Sequence, residues 1–120
     1  MLSGINIKEK LTQIDEHWSP AIIGEVNDYH IKVAKIKGEF VWHKHDDTDE
    51  LFLVIEGNMK IALGDGEVTL GKGDLYIVKK GIEHKPVAEK ECHIVLFEPA
   101  GTVNTGNAES ELTKRNLSKI

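Results

Sequence analysis

The chain holds 120 residues, 40% of them hydrophobic and 29% charged, the profile of one globular domain and not of a disordered segment. Its 15 Lys and Arg against 20 Asp and Glu give a formal charge of −5, which argues against a nucleic-acid binder, since that function needs a basic face. The lone cysteine, Cys92, excludes an internal disulfide, no apolar run reaches the ~20 residues of a membrane span, and no basic, apolar leader opens the chain, so the expected location is cytoplasmic.

The first expected element is a short helix over residues 6–18. Asn6 caps it, Glu9 follows at capping-box spacing, and Ile7, Leu11 and Ile14 share one face before Ser19-Pro20 ends it. From Ala21 the texture changes to short β-prone runs at 21–26, 30–37, 39–45, 51–55, 59–63, 67–70, 75–78, 85–88 and 92–98. Asn27-Asp28, Gly38, Gly57-Asn58, Gly64-Asp65-Gly66, Gly71-Lys72-Gly73-Asp74, Gly81 and Glu89-Lys90 punctuate them. Evenly spaced strands with turn signals indicate an all-β sandwich or barrel. The run Leu51-Phe52-Leu53-Val54-Ile55 lacks polar alternation, so burial on both faces is expected, with the helix or a second subunit as its outer cover. The expected organisation is a helical segment at 1–20, a β-barrel domain at 21–100 and a polar tail at 101–120, loosely held or briefly helical.

The informative stretch is His43-Lys44-His45-Asp46-Asp47-Thr48-Asp49-Glu50. On a strand, residues two apart share a face, so His43 and His45 project together while Lys44 and Trp42 point away. Glu50 lies past a polar loop, where the chain can turn back beside the histidines. His84 follows a strand and a glycine turn and can enter the same cavity. Three imidazoles and one carboxylate suit a divalent transition metal: Fe, Mn, Co, Ni, Cu or Zn. The lack of thiolates argues against a closed structural zinc site. Four protein ligands on an octahedral ion leave two positions open, and with them possible catalysis.

These residues resemble the cupins, small metal-binding β-barrels with two short motifs. The first family motif is glycine, five residues, His-x-His, three or four residues, Glu, six residues, glycine. Here Gly38, four residues, His43-Lys44-His45, four residues, Glu50, six residues and Gly57 follow it with one shortened gap. The second is glycine, five residues, Pro-x-Gly, two residues, His, three residues, Asn. Here Gly73 leads through Lys79-Lys80-Gly81 to His84 and Ala88, with Lys79 in place of the proline and Ala88 in place of the asparagine. Neither replaced position is a family ligand, so the substitutions bear on turn geometry and not on metal binding. The resemblance spans roughly Lys35 to Pro99 and implies a double-stranded β-helix, or jelly-roll barrel. It also implies His43, His45, Glu50 and His84 as metal ligands, and a stand-alone cupin of the kind labelled sugar-phosphate-isomerase-like. Pairing through sheets is common in such proteins, so a homodimer is expected.

Other residues carry weaker expectations. His17 and His30 lack evident partners and read as surface residues. Tyr76, Glu83 and His93 are candidates for a proton-moving side chain. Asp46, Asp47 and Asp49 lack the glycine and terminal glutamate of a calcium loop. Cys92 reads as an inert buried thiol. Lys79, Lys80 and Lys85 flank the His84 turn as a positive rim, which would suit an anionic substrate. Phe40 and Trp42 should share the face opposite His43, under the helix or in a dimer interface. Two functional classes fit: a metal-dependent enzyme acting on a small, anionic or sugar-derived substrate by isomerase, epimerase or lyase chemistry, with iron-dependent dioxygenase chemistry as its variant; and a non-catalytic module that holds a small molecule or metal.

Overall fold

The structure is a computed structural model and describes residues 2–120. It is all-β apart from one short helix, α1 (Ile7–Leu11). The Asn6 side chain caps α1 by accepting the Glu9 amide at 2.9 Å, as the sequence pattern indicates. The helix then stops at Leu11, well short of the expected 6–18. Thr12 turns its hydroxyl back onto the Glu9 carbonyl at 2.6 Å, and the chain leaves the helix. Farther on, Trp18 adopts a left-handed conformation (φ 59°) and donates its backbone amide to the Lys35 carbonyl at 2.9 Å. A continued helix could not make that pairing. The apolar spacing still reports burial, since Leu11 and Ile14 both enter one cluster.

Seven strands follow: β1 (Ala21–Val26), β2 (Tyr29–Glu39), β3 (Glu50–Glu56), β4 (Met59–Leu63), β5 (Gly66–Leu70), β6 (Leu75–Val78) and β7 (His84–Pro99). All pairings are antiparallel. The order is β1-β2-β7-β3-β6, and β4 pairs with both β5 and β7. The expected runs 85–88 and 92–98 fuse into the single strand β7. Their apparent turn at Glu89-Lys90 is an exposed irregularity, where the register against β2 shifts between Ile36 and Gly38. Gly57 lets the β3–β4 turn pass close to this irregularity. It sits at φ +91°, and a Cβ there would stand 3.0 Å from the Glu91 carbonyl oxygen.

The expected strand 39–45 does not form beyond Glu39. Residues 40–45 are held instead by separate backbone bonds, Phe40 to Pro86 and His43 to His84.

Alternation along the strands builds two cores. Ile36, Phe52, Val54, Ile61 and Ile94 face inward with Phe40 and Trp18. Val33 and Val95 face outward and meet Leu11 and Ile14 from the N-terminal segment. Each such fully buried side chain stabilises by roughly 1.5–3 kcal/mol relative to exposure. In β3 the inward Phe52 and Val54 are buried, whereas Leu53 and Ile55 are half-covered by the N-terminal segment. One face, and not both, is therefore fully enclosed.

The segment after β7 contains no helix and is bonded to the barrel. Ile22 donates to the Ser118 carbonyl at 2.8 Å, Ile120 donates to the Ile22 carbonyl at 2.9 Å, and Thr105 is fully buried. Among the described residues, no helix is long and apolar enough to cross a membrane.

Candidate metal centre

Three stretches deliver four polar side chains into the apolar interior. His43 and His45 come from the irregular segment after β2. Glu50 opens β3, and His84 opens β7. His43 and His84 exchange backbone hydrogen bonds of 3.0 and 2.8 Å. The turn before His84 is tied to the ligand loop as well: Gly81 donates to the His45 carbonyl at 2.8 Å, and the Lys80 amide donates to Asp49 at 2.9 Å. These bonds fix the turn although Lys79 stands where the cupin pattern has proline. Ala88, standing for the pattern's asparagine, packs into the inner core.

All four side chains are buried, and each offers a ligand atom within 4.8 Å of the others. His43 and His84 direct Nδ1 at the carbonyls of Val41 and Ile82, both at 2.9 Å. With Nδ1–H donating there, each Nε2 carries a lone pair. The His84 Nε2 nevertheless lies 3.2 Å from Glu50 Oε1. A neutral imidazole cannot donate from both nitrogens, so the contact is satisfied either by a proton on this nitrogen or by a cation between the two atoms. The His45 Nε2 lies 3.4 Å from the same oxygen, yet it is buried without a hydrogen bond. An orphaned nitrogen, two inward lone pairs and a carboxylate fit a divalent transition metal.

The electrostatics agree. Burial, reinforced by the neighbouring His84, lowers His43 to about 4, so its ring is neutral and able to ligate near neutral pH. Burial works to raise Glu50, but the close approach of His45 and His84 outweighs it and holds the carboxyl below the usual carboxylate range.

Two interior residues escaped the sequence reading. Lys32 and Glu98 pair at 3.0 Å with about 2% of either side chain exposed. Burial, followed by the nearby Glu50 carboxylate, pushes Glu98 well above its ordinary value. Strand parity held the signal: Lys32 alternates in phase with Ala34 and Ile36, and Glu98 with Ile94 and Leu96.

A small cavity of about 30 Å³ adjoins the cluster, room for water but not for a larger molecule. Its walls are mainly apolar, including Trp18, Phe40, Phe52 and Ile94, with His43 and Glu50 on its polar side. None of Tyr76, Glu83 and His93 lines it. Tyr76 packs partly buried against the inner core, Glu83 is exposed, and His93 lies on the outer surface bonded to Glu91 at 2.9 Å. His17 and His30 do have partners, Glu91 at 2.8 Å and Glu25 at 3.2 Å. On the rim, Lys79 pairs with Asp49 at 3.4 Å and Lys85 with Glu39 at 2.7 Å, which reduces the free positive charge.

Phe40 and Trp42 do not share a face. Phe40 stacks on Trp18 inside the barrel, with ring centroids 4.7 Å apart, while Trp42 is 46% exposed beneath the Lys85 ammonium. Parity fails here because residues 40–45 are not a regular strand. Cys92 is buried, and burial pushes its thiol up to about 11.

The C-terminal segment crosses the ligand loop. The Lys44 amide donates to Asn107 Oδ1 at 3.0 Å, and the Asn107 amide donates to the Lys44 carbonyl at 3.1 Å. Gly106 sits at φ +53°, and a Cβ there would overlap that carbonyl. The loop bearing two of the four donors is thus clamped from outside.

The barrel and its inward histidines and carboxylate define a cupin, and residues 30–98 match the cupin domain family. The chain belongs to that family. It is 36% identical over 104 residues to the uncharacterized protein YdbB of Bacillus subtilis (strain 168), covering 78% of this chain and 92% of that protein. Among solved structures it resembles a cupin-2 domain containing protein from Shewanella frigidimarina at 50% identity and a TM-score of 0.78, covering 79% of this chain and 93% of that one. It also resembles protein NMB1881 from Neisseria meningitidis at 32% identity and a TM-score of 0.75, covering 82% and 100%.

Proposed function

We propose that the protein binds one divalent transition metal through His43, His45, Glu50 and His84 and acts as a metal-dependent enzyme on a small molecule. The observation that carries this reading is four buried donors gathered within 4.8 Å, one of them a nitrogen with no protein partner. A metal held there supplies Lewis acidity at the positions its protein ligands leave open. The backbone bonds from His43 and His84 hold the two imidazoles in the ligating tautomer, and the apolar walls keep bulk water away from the reacting group.

Isomerase, epimerase or lyase chemistry on a sugar-derived or anionic substrate needs a side chain to move a proton, and of Tyr76, Glu83 and His93 only Tyr76 packs against the inner core. Dioxygenase chemistry with iron is the second reading. The donor set favours it as well, since three imidazoles and a carboxylate suit iron. The same barrel could also hold a ligand without turnover.

The protein is further read as a homodimer. Leu75 and Ile77 on the edge strand β6, and Ile82 beyond it, are 53%, 43% and 46% exposed, an apolar patch that a second copy would cover.

The test is metal analysis of protein purified without chelator, followed by turnover assays with the metal found. Iron together with oxygen consumption over a panel of phenols and other apolar substrates supports the dioxygenase reading. Zinc, nickel or manganese with sugar isomerisation supports the first. Tight ligand retention without turnover supports the binding module, and protein that takes up no divalent metal at all refutes the metal centre.

A further inference from the structure

The metal centre makes no direct use of Lys32 and Glu98, although both lie inside the barrel beside it. The Lys32 Nζ lies 3.0 Å from Glu98 Oε1 and 3.4 Å from the Thr102 carbonyl. The ladder between β3 and β7 pairs Leu51 with Phe97. One further step in that register sets Glu50 opposite Glu98. On the strand between β2 and β3, the Glu98 carboxyl therefore stands between the Lys32 ammonium and the Glu50 carboxylate, with Oε1 on the ammonium and Oε2 buried without a hydrogen-bond partner. A buried ion pair adds little net stability over apolar residues of similar volume, so stability alone does not account for this one.

Among the described residues, Glu50 and Glu98 are the buried carboxylates. Take Glu98 away, and the Lys32 ammonium has Glu50 as its remaining buried counter-charge. Attraction between such charges is strong in a low-dielectric interior. A Glu50 drawn toward Lys32 would turn from His45 and His84.

We propose that Glu98 is a positioning residue: by occupying Lys32, it keeps the Glu50 carboxylate facing His45 and His84. The functional meaning rests on the metal-centre reading above, while the geometry can be tested without metal. Glu98→Ala removes the spacer and its charge, and the double variant Lys32→Met with Glu98→Ala removes the competing ammonium as well.

Two readouts are taken on each variant: the imidazole nitrogen resonances of His45 and His84 in metal-free protein, and cobalt(II) affinity. E98A is expected to shift both resonances and to weaken cobalt(II) binding about tenfold or more. The double variant is expected to stay at the wild-type values. Wild-type resonances in E98A would overturn the proposal. So would a double variant displaced as far as E98A. If E98A does not fold, Glu98→Leu, closer in volume, replaces it with the same expectation. A wild-type protein that binds no cobalt(II) would sink the metal-centre reading, and the nitrogen resonances would still decide this inference.

Discussion

His43 and His84, 41 positions apart in the chain, form an antiparallel bridge and exchange both backbone hydrogen bonds, at 3.0 and 2.8 Å. Their rings sit 4.2 Å apart, centroid to centroid. The donor set is therefore carried by main-chain bonding and does not depend on a metal to gather it. His45→Ala should lose bound metal while far-UV circular dichroism stays that of wild type. Full metal content by elemental analysis in that variant would remove His45 from the ligand set.

Gly106→Ala should destabilise the protein by about 1–3 kcal/mol, combining left-handed backbone strain with the collision against the Lys44 carbonyl. Urea unfolding measures the loss. Limited proteolysis should also cut the C-terminal segment faster, because the Asn107 bonds to Lys44 would be pried open. An unchanged midpoint and digestion pattern would show that the clamp carries no weight.

Trp18→Ala removes a buried ring stacked on Phe40 and an indole bond to the Lys37 carbonyl at 2.9 Å. The expected loss is about 3–5 kcal/mol, as for other buried aromatic truncations. Thermal unfolding of the metal-free protein measures it without contribution from bound ion.

Cys92 should resist alkylation in the folded protein at pH 8 and react readily in denaturant. Burial raises its thiol pKa from 9.0 to about 11. The sign of the linkage follows. The unfolded chain loses this proton near 9.0 and the folded chain near 11, so the contribution is complete below pH 9 and disappears as pH rises through 11. Rapid labelling of native protein by iodoacetamide would contradict this.

Light scattering at micromolar concentration should give twice the chain mass, and Ile77→Lys should reduce it to one, because a lysine on the outer face of β6 would be buried without a partner charge. A monomeric wild type would refute the homodimer.

The convergence of His43, His45, Glu50 and His84 is legible because the four form a spaced motif. The i, i+2 rule placed the two histidines together even though residues 40–45 are not a strand. The bridge to His84 performs the alignment that a ladder would have supplied. The same irregularity defeated the rule for Phe40 and Trp42, which depended on parity alone. The helix was overextended because apolar spacing at Leu11 and Ile14 reports which side is buried and not the conformation that buries it. Lys32 and Glu98 stayed hidden because a charged residue within a strand reads as an outward one until its neighbours' parity is counted.

The strand that begins with His84 also binds β2, β3 and β4, joining partners from across the chain. On the ribosome, most of the polypeptide must have emerged before those pairings can close. Until then a metal ion could meet His43, His45 and Glu50, but no completed pocket. A metal site built on these four side chains would therefore be completed only late in folding, as expected for a topology dominated by non-local contacts.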